Sequence, residues 1–242
     1  MQAVQAAQQA GFTNINLDLM HGLPGQDVAA ALADLHQALD LQPAHLSWYQ
    51  LTLEPNTLFY KQPPLLPVED LLADIQDAGQ AVLEQAGWEH YEVSAYARPG
   101  MQAQHNLNYW QFGDYLGLGA GAHGKISYRD AQQQLIVTRR WKTRQPQAYL
   151  SRVLEGRDML AGSSKLQAQE LPLEFMLNAL RLKNGVAASL YPQRTGLNLA
   201  SLEPAIHHLT QQGLWSGAHK RLACSSLGWR WLNKVLEQFM QN

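Results

Sequence analysis

The chain has 242 residues, of which 46% are hydrophobic and 16% are charged, and its formal net charge is −2. This length is enough for one or two domains with a buried core. The small net charge argues against a chain that binds nucleic acid or a membrane surface over its whole length, and no run reaches the roughly 18 apolar residues of a transmembrane helix. The N-terminus lacks a signal-peptide pattern, and the single cysteine, Cys224, excludes an internal disulfide and a cysteine metal cage. We therefore expect a cytoplasmic protein.

The first hundred residues alternate between helical and extended patterns, in the order typical of βα units around a parallel sheet. Asp27 is predicted to cap the second helix. The chain begins on a helix, so its first strand follows no earlier strand, and we expect either a small sheet or a sheet whose earlier strands are missing. Helices are predicted over residues 3–11, 28–41 and 68–87, and strands over 15–20, 45–55 and 88–97.

After residue 113 the pattern changes. Residues 125–130 and 134–143 predict an antiparallel hairpin, residues 146–156 a helix, and residues 156–169 a linker. From about residue 166 onward, four helical pieces and a short hairpin over 214–226 resemble a winged helix. Basic residues in this last part are scattered, so we expect no nucleic-acid partner.

Four segments, in order, carry a resemblance to a known family: INLDLMHGLPGQ, HLSWYQLTLEPNTLFY, YEVSAYARPG and QHNLNYWQFGDYLGLGAGAHGK. Together they resemble the radical-SAM heme chaperone family HemW, which is close to oxygen-independent coproporphyrinogen III oxidase. The family's CxxxCxxC cluster motif and glycine-rich SAM-binding turn are absent from this chain. The resemblance therefore implies the C-terminal portion of such a protein.

The fold implied by this resemblance is α/β, the C-terminal part of a partial TIM barrel of radical-SAM type followed by a small helical, winged-helix-like domain. We place the barrel part at residues 1–160 and the HemN-type C-terminal domain at residues 161–242. The full-length family implies heme, S-adenosyl-L-methionine (SAM) and a [4Fe-4S] cluster as cofactors. One cysteine cannot replace the three cluster thiolates, so we expect this chain to be inactive as a radical-SAM enzyme on its own.

Asp18 lies in the first predicted strand, and in the family the matching aspartate contacts SAM. A carboxylate suits ribose hydroxyls, because it accepts charge-assisted hydrogen bonds; the alternative is an aspartate that satisfies a loop or a helix N-terminus. His21 is expected to be a loop histidine hydrogen-bonded to backbone, with a proton donor at the cavity mouth as the alternative. Glu54 and Glu92 also lie near strand ends, but their spacing assigns no acid and base pair.

The segment HNLNYW, residues 105–110, places His105 four residues before Tyr109 and Asn106 four residues before Trp110. On a helix each pair shares a face. The resemblance implies that HNxxYW binds heme, with His105 as an iron ligand and the aromatic rings against the porphyrin. The alternative is a capping loop whose aromatic side chains fill the core.

The glycine-rich segment GLGAGAHG lacks the full dinucleotide fingerprint, and we expect its glycines to permit close backbone packing. His123 in this segment is expected to be structural, and Cys224 to be a small buried hydrophobe. Neither residue is predicted to hold a ligand.

The functional prediction is a HemW-like heme chaperone that binds heme and transfers it to acceptor proteins such as respiratory enzymes. Two alternatives stay open: a coproporphyrinogen III oxidase-like enzyme and a non-catalytic binding fragment. We expect no transmembrane segment. We do expect transient association with membranes, and self-association through an exposed sheet edge.

Overall fold

The computed structural model describes residues 1–217 and 220–240. The chain divides into two compact units, residues 1–103 and residues 104–242. No helix in the described part of the chain combines the length and the apolar character that a bilayer crossing requires. The domain boundary predicted after residue 160 stays a prediction.

The first unit is a four-stranded sheet with helices packed on one face. In order along the sheet its strands are β1, β2, β4 and β3. Its elements are α1 (Gln2–Gln9), β1 (Asn16–His21), α2 (Val28–Asp40), β2 (His45–Gln50), α3 (Leu58–Lys61), α4 (Glu69–Gln85), β3 (Glu89–Glu92) and β4 (Ala95–Ala97).

Alternation along β1 and β2 separates an apolar face of the sheet from a polar face. Leu46 and Trp48 are buried in the core beneath α2 and α4, with Leu17 and Leu19 packed against them. The predicted cap of α2 is confirmed, because the Asp27 carboxylate accepts a hydrogen bond of 2.8 Å from the backbone N–H of Ala30. The intervening residues of β1 and β2 therefore form the opposite, polar face.

The single third strand predicted over residues 88–97 is wrong. The segment folds into a tight antiparallel pair, β3 and β4, and β4 runs antiparallel to β2. Among the paired strands of the described residues, β1 and β2 form the only parallel pair. The turn at Val93 and Ser94 lies within a run in which apolar and polar residues alternate as in a strand, and no glycine or proline marks it, so the sequence pattern missed the reversal.

The second unit contains a three-stranded antiparallel sheet, β5-β6-β7, and a two-stranded sheet, β8-β9. Its elements are α5 (Gln104–Trp110), β5 (His123–Arg129), β6 (Leu135–Lys142), α6 (Pro146–Leu154), β7 (Leu160–Lys165), α7 (Leu171–Ala179), β8 (Val186–Ala187), α8 (Leu190–Thr195), a 3₁₀ turn (Leu199–Leu202), α9 (Glu203–Gln211), β9 (Arg221–Leu222), α10 (Ser226–Arg230) and α11 (Leu232–Glu237).

The predicted hairpin is confirmed as β5 and β6, whereas the predicted linker over residues 156–169 is wrong. Its middle forms β7, which pairs antiparallel with β6. Small residues made this stretch look like a loop, but one of them is needed there: a Cβ on Gly162 would lie 2.3 Å from the Trp141 ring. Gly162 therefore lets the Trp141 indole lie flat across β7.

The last part of the chain is mainly helical, as predicted. Within the predicted hairpin over 214–226, Trp215 and Cys224 form one antiparallel bridge, and β9 pairs with β8. The turn predicted between the two short strands includes residues 218 and 219, which lie outside the described residues.

Candidate functional site

Asp18 lies in the middle of β1, on the polar face of the first sheet. Its side chain is exposed, and its carboxylate accepts a hydrogen bond of 2.9 Å from the Asn16 side chain. On the neighbouring strand Ser47 is its register partner. This arrangement leaves the Asp18 carboxylate accessible for hydroxyl donors.

A buried polar chain crosses the same face. The His45 ring bridges the Asn16 side-chain oxygen at 2.6 Å and the Tyr91 hydroxyl at 2.7 Å. The Ser47 hydroxyl donates to the same Asn16 oxygen at 3.2 Å. Asn16 is therefore held from two sides, and it in turn orients Asp18.

His21 ends β1 and does not lie in a loop. Its side chain is 4% exposed, and its ring centroid lies 4.2 Å from that of Trp48. Its Nδ1 atom is buried with no hydrogen-bond partner among the described residues. Burial lowers the pKa of His21 from 6.5 to about 4. Packing against Trp48 therefore positions the His21 ring. The expected hydrogen bond to the backbone is not formed at Nδ1.

The two glutamates of the first unit differ in environment. Glu54 is exposed and accepts a hydrogen bond of 3.0 Å from the Thr52 hydroxyl. Glu92 is buried and accepts one of 3.2 Å from the backbone N–H of Ser94, in the turn between β3 and β4. Both carboxylates have local structural partners.

The HNxxYW segment is helical and forms α5, so the four-residue spacing of its two pairs applies. His105 is exposed and its ring meets that of Tyr109 edge-on, with the centroids 6.3 Å apart. Tyr109 in turn meets Tyr115 edge-on at 4.7 Å. Asn106 and Trp110 are half-buried, and the Arg181 guanidinium lies 4.3 Å above the Trp110 ring.

The chain turns sharply after α5. Asn108 closes the turn, because its side-chain amide donates to the Asp114 carbonyl at 3.0 Å and its own carbonyl accepts from the Gly113 N–H at 2.7 Å. Phe112 has a φ of 55°, a left-handed conformation that costs a bulky residue about 1–3 kcal/mol. Its ring is buried against Phe175 at 5.6 Å, so packing holds the strained backbone.

A small cavity of about 190 Å³ opens beside the end of α5. We call it the α5 cavity. Its walls combine aromatic rings with two cations and one amide, from Tyr109, Trp110, Phe112, Gly113, Tyr115, Lys125, Arg139 and Asn178. Ligand pockets for drug-sized molecules are usually about 300–1,000 Å³, so this cavity is too small to enclose a macrocycle.

Lys125 is almost fully buried in the wall of the α5 cavity. Its ammonium group lies 2.7 Å from the Asp114 carboxylate and 4.2 Å from the centre of the Phe112 ring. Burial lowers the pKa of Lys125, and the Asp114 contact partly offsets this effect. Burial also acts to raise the pKa of Asp114, but hydrogen bonds from Lys125 and Ser127 outweigh it and hold that pKa low. Asp114 and Lys125 therefore form a salt bridge at the cavity wall.

The glycine-rich segment packs along β5. A Cβ on Gly117 would lie 2.4 Å from the His123 carbonyl oxygen, which is the close backbone approach expected from these glycines. His123 itself is exposed, with its ring 6.5 Å from that of Trp141 and nearly parallel to it. Cys224 is buried, and burial raises the pKa of its thiol to about 12, so it behaves as the small hydrophobe that was predicted.

The sequence analysis missed the cations of the α5 cavity. Lys125 and Arg139 are direct register partners on β5 and β6, and both contact the cavity. The available signal was the hairpin itself: once its register is assigned, two like charges face each other across the strands, an arrangement that is unfavourable unless other groups compensate it.

The last part of the chain matches a known domain. Residues 166–231 match the model of the HemN C-terminal domain. Over 239 residues, 99% of its length, the chain is 43% identical to a protein of Escherichia coli K12 named heme chaperone HemW. The same name belongs to a Bacillus subtilis protein that is 31% identical over 98% of the chain.

The resemblance of this chain to HemW is confirmed. A bovine protein named radical S-adenosyl methionine domain-containing protein 1, mitochondrial, is also similar, with 34% identity over 98% of the chain. The chain spans about three fifths of the length of these relatives: 61% of the two bacterial proteins and 55% of the bovine one.

The fold of this HemW-like chain matches that of a solved radical-SAM enzyme. The structure is that of coproporphyrinogen III oxidase (HemN) from E. coli, with a TM-score of 0.75 over 98% of this chain and 57% of the HemN chain. Sequence identity is 19%, so this likeness shows the fold alone. The predicted fold class, part of a radical-SAM barrel followed by a helical domain, is confirmed.

Proposed function

We propose that this chain binds heme at α5, with His105 as the iron ligand. The observation that carries the proposal is that α5 presents the exposed His105 ring one helical turn from Tyr109, beside the aromatic α5 cavity. Neutral imidazole is a common axial ligand of heme iron. Five relatives of the chain that reach at least 31% identity and are named heme chaperone HemW support this assignment.

The rest of the motif has a defined place in this proposal. The macrocycle would lie on the surface over the exposed side of α5, because the α5 cavity is too small to enclose it. Tyr109 and Trp110 supply aromatic surface for the porphyrin, and Asn106 lies on the same helix face as Trp110. A surface site suits a carrier, since the cargo must leave it again.

The wider role follows from the family. We infer that heme is the cargo of this chain, that it is handed to acceptor proteins such as respiratory enzymes, and that this happens in the cytoplasm with transient association with membranes.

Asp18 is the residue that we propose for SAM. Its accessible carboxylate, oriented by Asn16, fits the ribose hydroxyls of a nucleoside. The cluster is different: the chain has one thiol, buried and with a raised pKa, so its residues do not fit an iron–sulfur cluster. No step of the proposed function runs through a cluster.

Titration with hemin tests the heme proposal. We expect wild type to shift the Soret band of hemin, and His105→Ala to weaken binding at least about tenfold, the equivalent of about 1.4 kcal/mol. His123→Ala is the matched control, because His123 is also an exposed histidine beside an aromatic ring in the same unit. That variant should bind hemin like wild type.

The result that refutes the ligand assignment is an equal spectrum and affinity for wild type and His105→Ala. Loss of binding in His123→Ala with retention in His105→Ala would move the iron ligand to the glycine-rich segment. Circular dichroism of each variant verifies that the fold is unchanged.

A further inference from the structure

The wall of the α5 cavity carries two cations and no carboxylate among its lining residues. Lys125 and Arg139 lie directly opposite each other on β5 and β6, where like charges destabilise a sheet unless other groups compensate them. The charges of Arg139 and Arg194 both act to lower the pKa of Lys125, although burial is the larger cause.

Each of the two cations pairs with one carboxylate. Asp114 accepts hydrogen bonds from the Lys125 ammonium group at 2.7 Å and from the backbone and hydroxyl of Ser127, both at 2.8 Å. Glu174 pairs with Arg139. Neither carboxylate is among the lining residues, so the cavity itself is lined by the cations.

Arg139 is the cation that can still take a ligand. Lys125 is 3% exposed in its side chain and is occupied by Asp114 and Ser127, whereas the side chain of Arg139 is 34% exposed. Arg139 pairs with Glu174 through Nη2. A guanidinium has five N–H donors, so Nη1 and Nε keep donors for a second carboxylate.

A second donor in the wall lacks an acceptor. The indole Nε1 of Trp110 is buried and has no hydrogen-bond partner among the described residues. A buried donor without an acceptor is unfavourable by about 1–3 kcal/mol. The Nε1 atom is itself buried, so a ligand oxygen in the cavity would satisfy it only after a shift of the indole.

We infer that the α5 cavity binds a carboxylate arm of a porphyrin, with Arg139 as the residue that recognises it. The inference rests on the proposed binding of heme at α5 and names the part of the heme that the chain recognises. Size, charge and donors agree: about 190 Å³ admits a short acidic chain and excludes the ring, the lining side chains include two cations, and Arg139 keeps N–H donors at Nη1 and Nε. The aromatic rings around the opening face the apolar part of the same ligand.

The test compares hemin with hemin dimethyl ester, in which both carboxylates are masked. Each is titrated into the full chain in the same cosolvent and followed by the Soret band and by tryptophan fluorescence. We expect wild type to bind hemin about tenfold or more tightly than the ester, because charge-assisted hydrogen bonds are stronger than neutral ones. Arg139→Gln should bring the two affinities to within about twofold of each other.

Two further variants separate recognition from folding. Glu174→Gln removes the carboxylate that competes for Arg139, so hemin should bind more tightly while the affinity for the ester stays constant. A purely structural Arg139–Glu174 pair predicts no such gain. Arg157→Gln is the matched control, because Arg157 also pairs with a glutamate, Glu155, but does not line the cavity. This variant should prefer hemin over the ester to the same degree as wild type.

The outcomes distinguish the two proposals. If His105→Ala weakens both porphyrins equally and keeps the preference for hemin, iron ligation and carboxylate recognition are separate and both stand. If wild type binds hemin and its ester equally, or if Arg139→Gln keeps the full preference, the carboxylate inference is wrong while heme binding stands. If neither porphyrin binds, both proposals fail together.

Discussion

His21 links the stability of the first unit to pH. Burial lowers its pKa from 6.5 to about 4, so between these values the unfolded chain binds a proton that the folded chain does not. The contribution of the neutral His21 side chain to the free energy of unfolding is therefore fully present above about pH 6.5. It is lost as the pH falls towards 4. From the two pKa values, the loss at about pH 5 is about 2 kcal/mol.

Substitution isolates this contribution. His21→Phe keeps an aromatic ring against Trp48 but cannot be protonated, so its urea midpoint should change less than that of wild type between about pH 7.5 and about pH 5. His36→Phe is the matched control, because His36 is exposed on α2. An equal pH dependence in wild type and His21→Phe would contradict the buried-imidazole account.

At the scale of elements, a glycine in α4 allows this helix to pack closely against β2. Gly79 is buried within α4, and a Cβ placed on it would lie 2.0 Å from the Trp48 ring. Alanine improves intrinsic helix propensity by about 1 kcal/mol, but overpacking a core typically costs about 1–3 kcal/mol. The helix therefore carries its least favourable ordinary residue where the indole requires the space.

We expect Gly79→Ala to lower the free energy of unfolding by about 1–2 kcal/mol, because the clash with Trp48 outweighs the gain in propensity. Urea denaturation measures it. Gln76→Ala, on the exposed side of the same helix, should be neutral or slightly stabilising. A stabilised Gly79→Ala protein would show that α4 moves away from β2 at little cost.

For the whole molecule, the open edge of the first sheet is the feature with the widest consequence. β1 is the outer strand of its sheet and pairs only with β2 among the described strands. Met20 on β1 and its register partner Tyr49 are both exposed. An unpaired edge beside apolar side chains favours pairing with another chain.

Size-exclusion chromatography with light scattering should accordingly show association that increases with concentration. Met20→Lys should reduce it, because a charge on an edge strand opposes strand pairing. Met240→Lys, which removes another exposed methionine from the second unit, should not. A concentration-independent monomer in wild type would remove the edge as an association site.

Much of this molecule could be predicted from local signals. Helical periodicity located α2 and α4, and the capping aspartate marked the start of α2. The spacing of HNLNYW indicated that His105 and Tyr109 would share a face on a helix, and the segment is helical. Each of these depends on residues within one or two turns of each other. The family could likewise be recognised from four linear segments.

Local signals failed where distant residues decided the outcome. The reversal between β3 and β4 is stabilised by pairing with β2, and β7 is a strand because β6 offers it an edge and Trp141 covers Gly162. The burial of His21 and the facing cations Lys125 and Arg139 likewise depend on neighbours far along the chain.

By itself the sequence determined the resemblance to HemW, most helices, the first two strands, the β5–β6 hairpin and the motif on α5. Only the tertiary structure decided the direction of β4, the strand β7, the neutral state of His21 at mildly acidic pH and the cationic wall of the α5 cavity. The physical reason is that helix formation and capping act over a few neighbouring residues, whereas strand pairing, desolvation and electrostatic interaction depend on which distant residues the fold brings together.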